Sequence, residues 1–454
     1  MSSSTDAKEM EPLIARVDEE AALHAIEAVE EPLMGFVYFG FVGNLCFNFL
    51  LQEVAFFNAI LGDSFGVLAG MIYAFANNLG QILIVWKGSS ISFAWRIGVS
   101  SSLLGLILIF IPLLTVYEIP FRLSLALVLV ACMGFMVAVL ASAGYGLTGV
   151  CSSQVRIFYT VGASLPGLLA LPIMIGFDFI FARVFNFSSE RGEGGTMPSQ
   201  VDTATTFGLL SISAVCMFVA VPHYLFSLGR SKTVLAALER VEGTTRPAAS
   251  QTKLQIFTST LPLALAVWNL MMVTFVVLPD QMIAWKTNHP NWYPGKEFGY
   301  QNINIYVFQI FDTVGRFLVA AGVSFGPISV MVASGLRILL IPFFFLATAR
   351  ISFFDNDFFK FALNAVFATS YGILLTLGMI QGSQQVRPDN ADTAGYIMSF
   401  FLSNGIIFGA FIALGIQKIP LRYFQHKTYS GECRISENMQ LICVENLQTT
   451  LTPN

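Results

Sequence analysis

Residues 303–323, INIYVFQIFDTVGRFLVAAGV, decide the fold class. The stretch is long and apolar enough to cross a bilayer as one helix, yet Asp312 and Arg316 lie inside it. Four residues apart, the two groups share one helical face. Either charge alone at mid-membrane costs from ~2.5 to well above 10 kcal/mol, depending on the reference state. The pair therefore faces a partner or a watery cavity, and its helix lines a pathway or a binding site.

The rest of the chain agrees with a membrane setting. Of 454 residues, 55% are hydrophobic and only 11% charged, and the mean hydropathy is +0.69. A soluble globular domain rarely combines such values. The 43 phenylalanines suit lipid-facing and helix-packing surfaces. The formal charge of -4 says little about partners. No CxxC pattern, P-loop or HExxH motif occurs, so neither a cofactor nor an enzymatic activity is expected, and nothing points to a nucleic-acid polymer as partner.

Apolar windows of about 20 residues fall at 33–61, 65–86, 94–117, 120–145, 157–181, 205–228, 254–279, 303–323, 327–348, 358–380 and 394–416. The expected architecture is an all-α polytopic membrane protein of about eleven transmembrane helices. An acidic cytosolic tail (1–32) precedes an N-terminal bundle of six helices (33–228). A polar cytosolic linker (229–253) leads into a C-terminal bundle of five (254–416) and a tail (417–454). The acidic tail contains Glu9, Leu13 and Ile14, spaced like a dileucine sorting signal.

Lys and Arg in the connections set the orientation. With the N-terminus inside, inner segments hold Lys8, Arg16, Lys87, Arg96, Arg156, the linker cations and Arg387. Outer ones hold Arg122, Arg183, Arg191, Lys286, Lys296, Arg350 and Lys360. The balance favours a cytosolic N-terminus, although Lys418, Arg422 and Lys427 after the last span run against it. Asn186-Phe187-Ser188 is then an external glycosylation sequon.

Polar groups that cannot face hydrocarbon mark candidate function. Asn44, Asn48 and Gln52 form one stripe on the first span, with Glu53 about 100 degrees away. The second span adds Asn77, Asn78 and Gln81, the seventh Trp268 and Asn269, the eighth Gln309 with Asp312 and Arg316, and the ninth Arg337. Some of these groups do no more than bond across helix contacts, at ~0.6 kcal/mol each. Polar faces in both halves imply a central hydrophilic cavity worked by alternating access. Glu53 and Asp312 are the candidates for carrying a proton.

In the last third the residues resemble the equilibrative nucleoside transporter family. Its eighth-helix motif is similar to FQIFDTVGRFL, Phe308 to Leu318. Its ninth-helix Arg and Pro correspond to Arg337 and Pro342, and its eleventh-helix sequence to TAGYIMSFFLSNGIIFGA, Thr393 to Ala410. Phe47-Asn48, followed by Phe56-Phe57, resembles the first-helix pattern, with Cys46 at the usual Pro position. AVLASAGYGLTG, Ala138 to Gly149, resembles the fourth-helix motif, but Ala141 stands where well-studied members carry a Gln that contacts the nucleobase.

The resemblance implies a major-facilitator-like arrangement of six plus five helices around a central site for a nucleoside. Asp312 and Arg316 would bind the ribose hydroxyls, for which a carboxylate acceptor beside a guanidinium donor is suitable. Phe47 would pack on the ligand and Asn48 would position its helix, with Gln52, Trp268 and Asn269 as further substrate contacts. Arg337, Gly395 and Gly405 would be structural or gating positions. The expected function is transport of purine nucleosides, and of nucleobases, passively or with protons, across the plasma membrane or an endosomal or lysosomal one. A sugar carrier of the wider major-facilitator type or a membrane-embedded receptor are the alternatives.

Overall fold

The computed structural model describes residues 31–62, 65–117, 120–189, 198–242, 251–278, 280–289 and 299–418, with two paired strands, Cys433–Ile435 and Leu441–Cys443, in the C-terminal tail. The Glu9, Leu13 and Ile14 signal and most of the C-terminal tail lie outside the described residues. Among the described residues, eleven helices are long and apolar enough to span a membrane.

In order they are Leu33–Gln52 continued by Val54–Leu61, Phe65–Lys87, Phe93–Val116, Arg122–Val150, Ser153–Arg183, Gln200–Phe226, Lys253–Val277, Tyr300–Ala320, Pro327–Leu336 continued to Thr348, Asp357–Gln384 and Ala391–Lys418. Several begin before the apolar windows do, because their first turns are polar. Ser152 caps the fifth span by accepting from the Val155 amide. Ser199 with Asp202, and Thr252 with Gln255, build capping boxes on the sixth and seventh. Such caps satisfy amides that the first helical turn leaves unpaired.

Two spans are broken. The first turns at Glu53 between its two helical pieces. The ninth tightens into a 3-10 turn at Arg337–Leu340, because Pro342 brings no amide to the carbonyl four residues earlier and its ring crowds that carbonyl.

Each half has its own buried apolar cluster. One draws on residues between Phe36 and Val234, with Tyr396 added from the other half. The second draws on residues between Ile256 and Met398. Within the linker, Lys232–Glu242 is an amphipathic helix that buries Val234 and Ala237.

The first and fifth spans touch backbone to backbone. A Cβ added at Gly162 would collide with the Val37 carbonyl, and one at Gly40 with the Tyr159 carbonyl. Small residues permit such approach where no hydrophobic force drives helices together in lipid. Gly162→Leu is expected to abolish folded protein, because a backbone carbonyl cannot swing aside. Size-exclusion of detergent-extracted protein checks this, and a wild-type yield of monodisperse variant would refute it.

Candidate functional site

Arg316 and Asp312 close on each other. Nε donates to Oδ1 and an Nη to Oδ2, both at 2.9 Å, the side chains being 5% exposed. The bidentate geometry gives a neutral unit with fixed donor and acceptor directions. The other Nη donates to the Thr160 carbonyl on the fifth span at 2.7 Å. The pair thus belongs to the C-terminal half but is anchored on the N-terminal half. Tyr371 lies under the guanidinium at 5.9 Å. A side chain at 372 would strike the Asp312 carbonyl and approach its carboxylate, so Gly372 leaves the pair its room.

Tyr145 of the fourth span is close enough to interact electrostatically with Arg316 and packs edge-on to Tyr159, at 5.1 Å between ring centres. Gly395 of the eleventh span lies against the Tyr145 backbone carbonyl. The gap bounded by Tyr145, Thr148, Arg156, Thr160, Met379, Ser383 and Gly395 has no space for a water molecule. The two halves are therefore closed over the ion pair.

Arg156 seals the same region. Its guanidinium donates to the carbonyls of Thr148, Gly149 and Cys151 at the end of the fourth span, and to Ile380 across the interface, at 2.6 to 3.3 Å. Arg96 donates to the Tyr396 hydroxyl at 2.9 Å. Deeper in, Gln81 donates to Ser399 and Ser403 and accepts from Ser142. Asn404 donates to Asn78 and accepts from Trp268. Successive spans alternate in direction, so these ties all lie between the linker-side ends of the helices and their middles. The linker side is the closed side.

Of the sequence-derived site residues, Asp312, Arg316 and Gly395 lie at the contact between the halves, whereas Trp268 bonds to Asn404 within its own half. Phe47 instead stacks on Tyr73 of the second span, at 4.5 Å. Asn48 donates to the Asn44 carbonyl one turn back, and Gln52 faces Met174 of the fifth span. Glu53 is buried and accepts from Thr206 of the sixth span at 2.6 Å. Asn269 donates to the Ser334 carbonyl within the C-terminal half.

Arg337 bonds to Ser370, Thr274 and the Leu270 and Phe367 carbonyls, with its guanidinium 4.1 Å above the Phe367 ring. It binds the seventh, ninth and tenth spans to one another. Gly405 allows the seventh and eleventh to touch at Trp268. Asn186 is exposed on the side away from the linker.

Two of the inner residues counted above as loop cations are nothing of the kind, and of the outer ones Lys360 is fully buried in the tenth span. Arg96 and Arg156 lie within helices, 3% and 7% exposed, and their bonds belong to the interface. A charge count for orientation loses all three. Sequence reasoning names Gln81 among the polar groups of the second span but misses Ser142, Ser399, Ser403 and the role of Arg156. Ser399 and Ser403, four apart on an apolar helix, were the readable sign of a polar face there.

Residues 230–418 match the family model described as nucleoside transporter. Equilibrative nucleoside transporter 1 of Mus musculus is 38% identical over 119 residues, and that of Homo sapiens 36% over 110, in each case across 23% of this chain. The chain matches only about a quarter of the length of these curated relatives, 25% and 24% respectively. Over most of its length the fold is similar to solved major facilitator transporters. A proton:xylose symporter aligns with a TM-score of 0.55 at 11% identity, over 86% of this chain and 88% of that one. An E. coli fucose:proton symporter aligns with a TM-score of 0.52 at 14% identity, over 87% and 94%. The family match spans the linker and the C-terminal half, including the Asp312–Arg316 pair, and this part of the chain is similar to nucleoside transporters.

Proposed function

We propose that this chain carries nucleosides across a membrane by alternating access, with purine nucleosides and nucleobases as substrates. The observation that supports it best is the neutral, bidentate Asp312–Arg316 pair buried where the two halves meet. A vicinal diol offers two hydroxyls that donate to a carboxylate and accept from a guanidinium. Parting the halves takes Thr160 away from Arg316 and frees a donor for the ribose, so ligand and interface compete for the same guanidinium. The conformation described is then the one closed toward the linker. The N-terminus and linker are assigned to the cytosol and the carrier to the plasma membrane or to endosomal or lysosomal membranes.

Uptake of labelled adenosine into proteoliposomes tests this. Competition by unlabelled nucleosides, and none by fucose, xylose or ATP, is expected. Competition by the sugars instead would refute it.

Glu53 is the carboxylate through which protons act in this reading. It lies at the break of the first span, bonded to Thr206. Asp202, whose carbonyl also accepts from Thr206, and Asp178, bonded by Thr205, are acids nearby among the described residues. An ionisable group held at a helix break inside a membrane is a functional candidate. An inward proton gradient is expected to accelerate uptake. Glu53→Gln is expected to remove that acceleration and leave adenosine exchange intact. Uptake indifferent to the gradient would eliminate the coupling.

A further inference from the structure

We infer that Gln81 reads the edge of the base and is the residue that sets base selectivity. The inference rests on the nucleoside reading above and adds to it the group that distinguishes one nucleoside from another.

Gln81 is 1% exposed and sits in the interface between halves. Its Nε2 donates to Ser399 at 3.1 Å and Ser403 at 3.3 Å, both on the eleventh span, while its Oε1 accepts from Ser142 on the fourth at 2.6 Å. All three partners are hydroxyls, which rotate and can exchange donor for acceptor. When the halves part, Ser399 and Ser403 leave with the C-terminal half. The carboxamide then presents a donor toward the opening, in plane with its acceptor oxygen. That pattern is complementary to a base edge with an amino group beside a ring nitrogen, as adenine has at N6 and N7.

The position suits a ligand held by its sugar at the ion pair. Ser142 lies three residues, less than one helical turn, before Tyr145, which lines the same gap as Thr160, the carbonyl partner of Arg316. Ser399 lies one turn beyond Gly395, which packs on the Tyr145 backbone. The ion pair and the carboxamide therefore flank Tyr145 along one interface, and the tyrosine ring offers the face on which a base stacks. The remaining polar groups beside Gln81, namely Asn78, Asn404 and Trp268, are uncharged. A neutral, planar, hydrogen-bonding ligand part fits there.

The test compares adenosine with purine riboside, which has the same sugar and ring but no amino group, in displacing labelled adenosine from purified full-length protein. Sites built around a hydrogen bond discriminate strongly against a ligand that lacks the partner group. Wild type is expected to prefer adenosine by about tenfold or more. Gln81→Met, close in shape but without the carboxamide, is expected to shrink the ratio to near unity. Ser142→Ala, which frees Oε1 of its holder, is expected to lower the ratio less. A merely structural role would weaken both ligands equally and keep the ratio.

Equal binding of the two ligands by wild type overturns the inference without any variant, so it stays falsifiable even where Gln81→Met does not fold. An unchanged ratio in Gln81→Met overturns it as well. Absence of any nucleoside binding overturns the transport reading and this inference with it, whereas binding without discrimination overturns this inference alone.

Discussion

Arg316→Ala is expected to reduce nucleoside uptake more than about a hundredfold at equal amounts of protein in the membrane. Removing the guanidinium strands the Asp312 carboxylate, 3% exposed among helices, and breaking a buried pair in this one-sided way costs ~3–5 kcal/mol. At 1.4 kcal/mol per tenfold, even the lower figure is about two decades. In the proposed site, binding suffers as well, because the guanidinium donor for the sugar disappears.

Arg316→Lys separates the causes. It restores the charge but not the fork that engages both carboxylate oxygens, and lysine cannot imitate that geometry. Protein amount is expected to recover with lysine while uptake does not. Wild-type uptake per molecule by Arg316→Ala would remove the pair from the site.

The second large effect is conformational. Arg156→Ala is expected to shift the protein toward a form open on the linker side. Arg156 collects carbonyls from the end of the fourth span and one from the tenth. Carbonyls at a helix C-terminus have no intrahelical partner and carry the negative end of the helix dipole. Without the guanidinium they are buried unsatisfied in the closed form, at about 1–3 kcal/mol each, but water reaches them in the open one. Two such groups at mid-range change the closed-to-open ratio by about a thousandfold.

Spin labels at Trp95 and Ile328, both exposed and on opposite halves at the linker-side ends, report the separation by pulsed dipolar spectroscopy once the native cysteines are replaced. A longer distance in the variant is expected. An unchanged distribution would mean that Arg156 does not hold the closure.

How much of this was legible in the sequence follows from what each signal measures. Hydropathy located eleven spans because lipid demands apolar length, but it placed the starts of the fifth and sixth too late. Ser152 and Ser199 cap those helices with polar residues outside the apolar window. The Asp312–Arg316 pair was legible because its partners are four residues apart on one helix.

The rest of the interface was not, because its bonds join residues far apart in the chain. Gln81 and Ser399 are separated by 318 positions, and helical periodicity names a face without naming the neighbour that covers it. The stripe of Asn44, Asn48 and Gln52 turns to the fifth span, while Phe47 stacks within its own half. Arg96 and Arg156 resembled loop cations because short connections put them near helix ends. Their burial comes from tertiary contacts with Tyr396 and Ile380.

In the proposed mechanism the two halves exchange access around a ribose held by Asp312 and Arg316. Counterflow measures this most directly, using purified protein in liposomes preloaded with unlabelled adenosine and diluted into a trace of labelled adenosine. The account predicts transient accumulation of label above equilibrium by wild type and none by Arg316→Ala. No overshoot by wild type, or an equal overshoot by the variant, would contradict it.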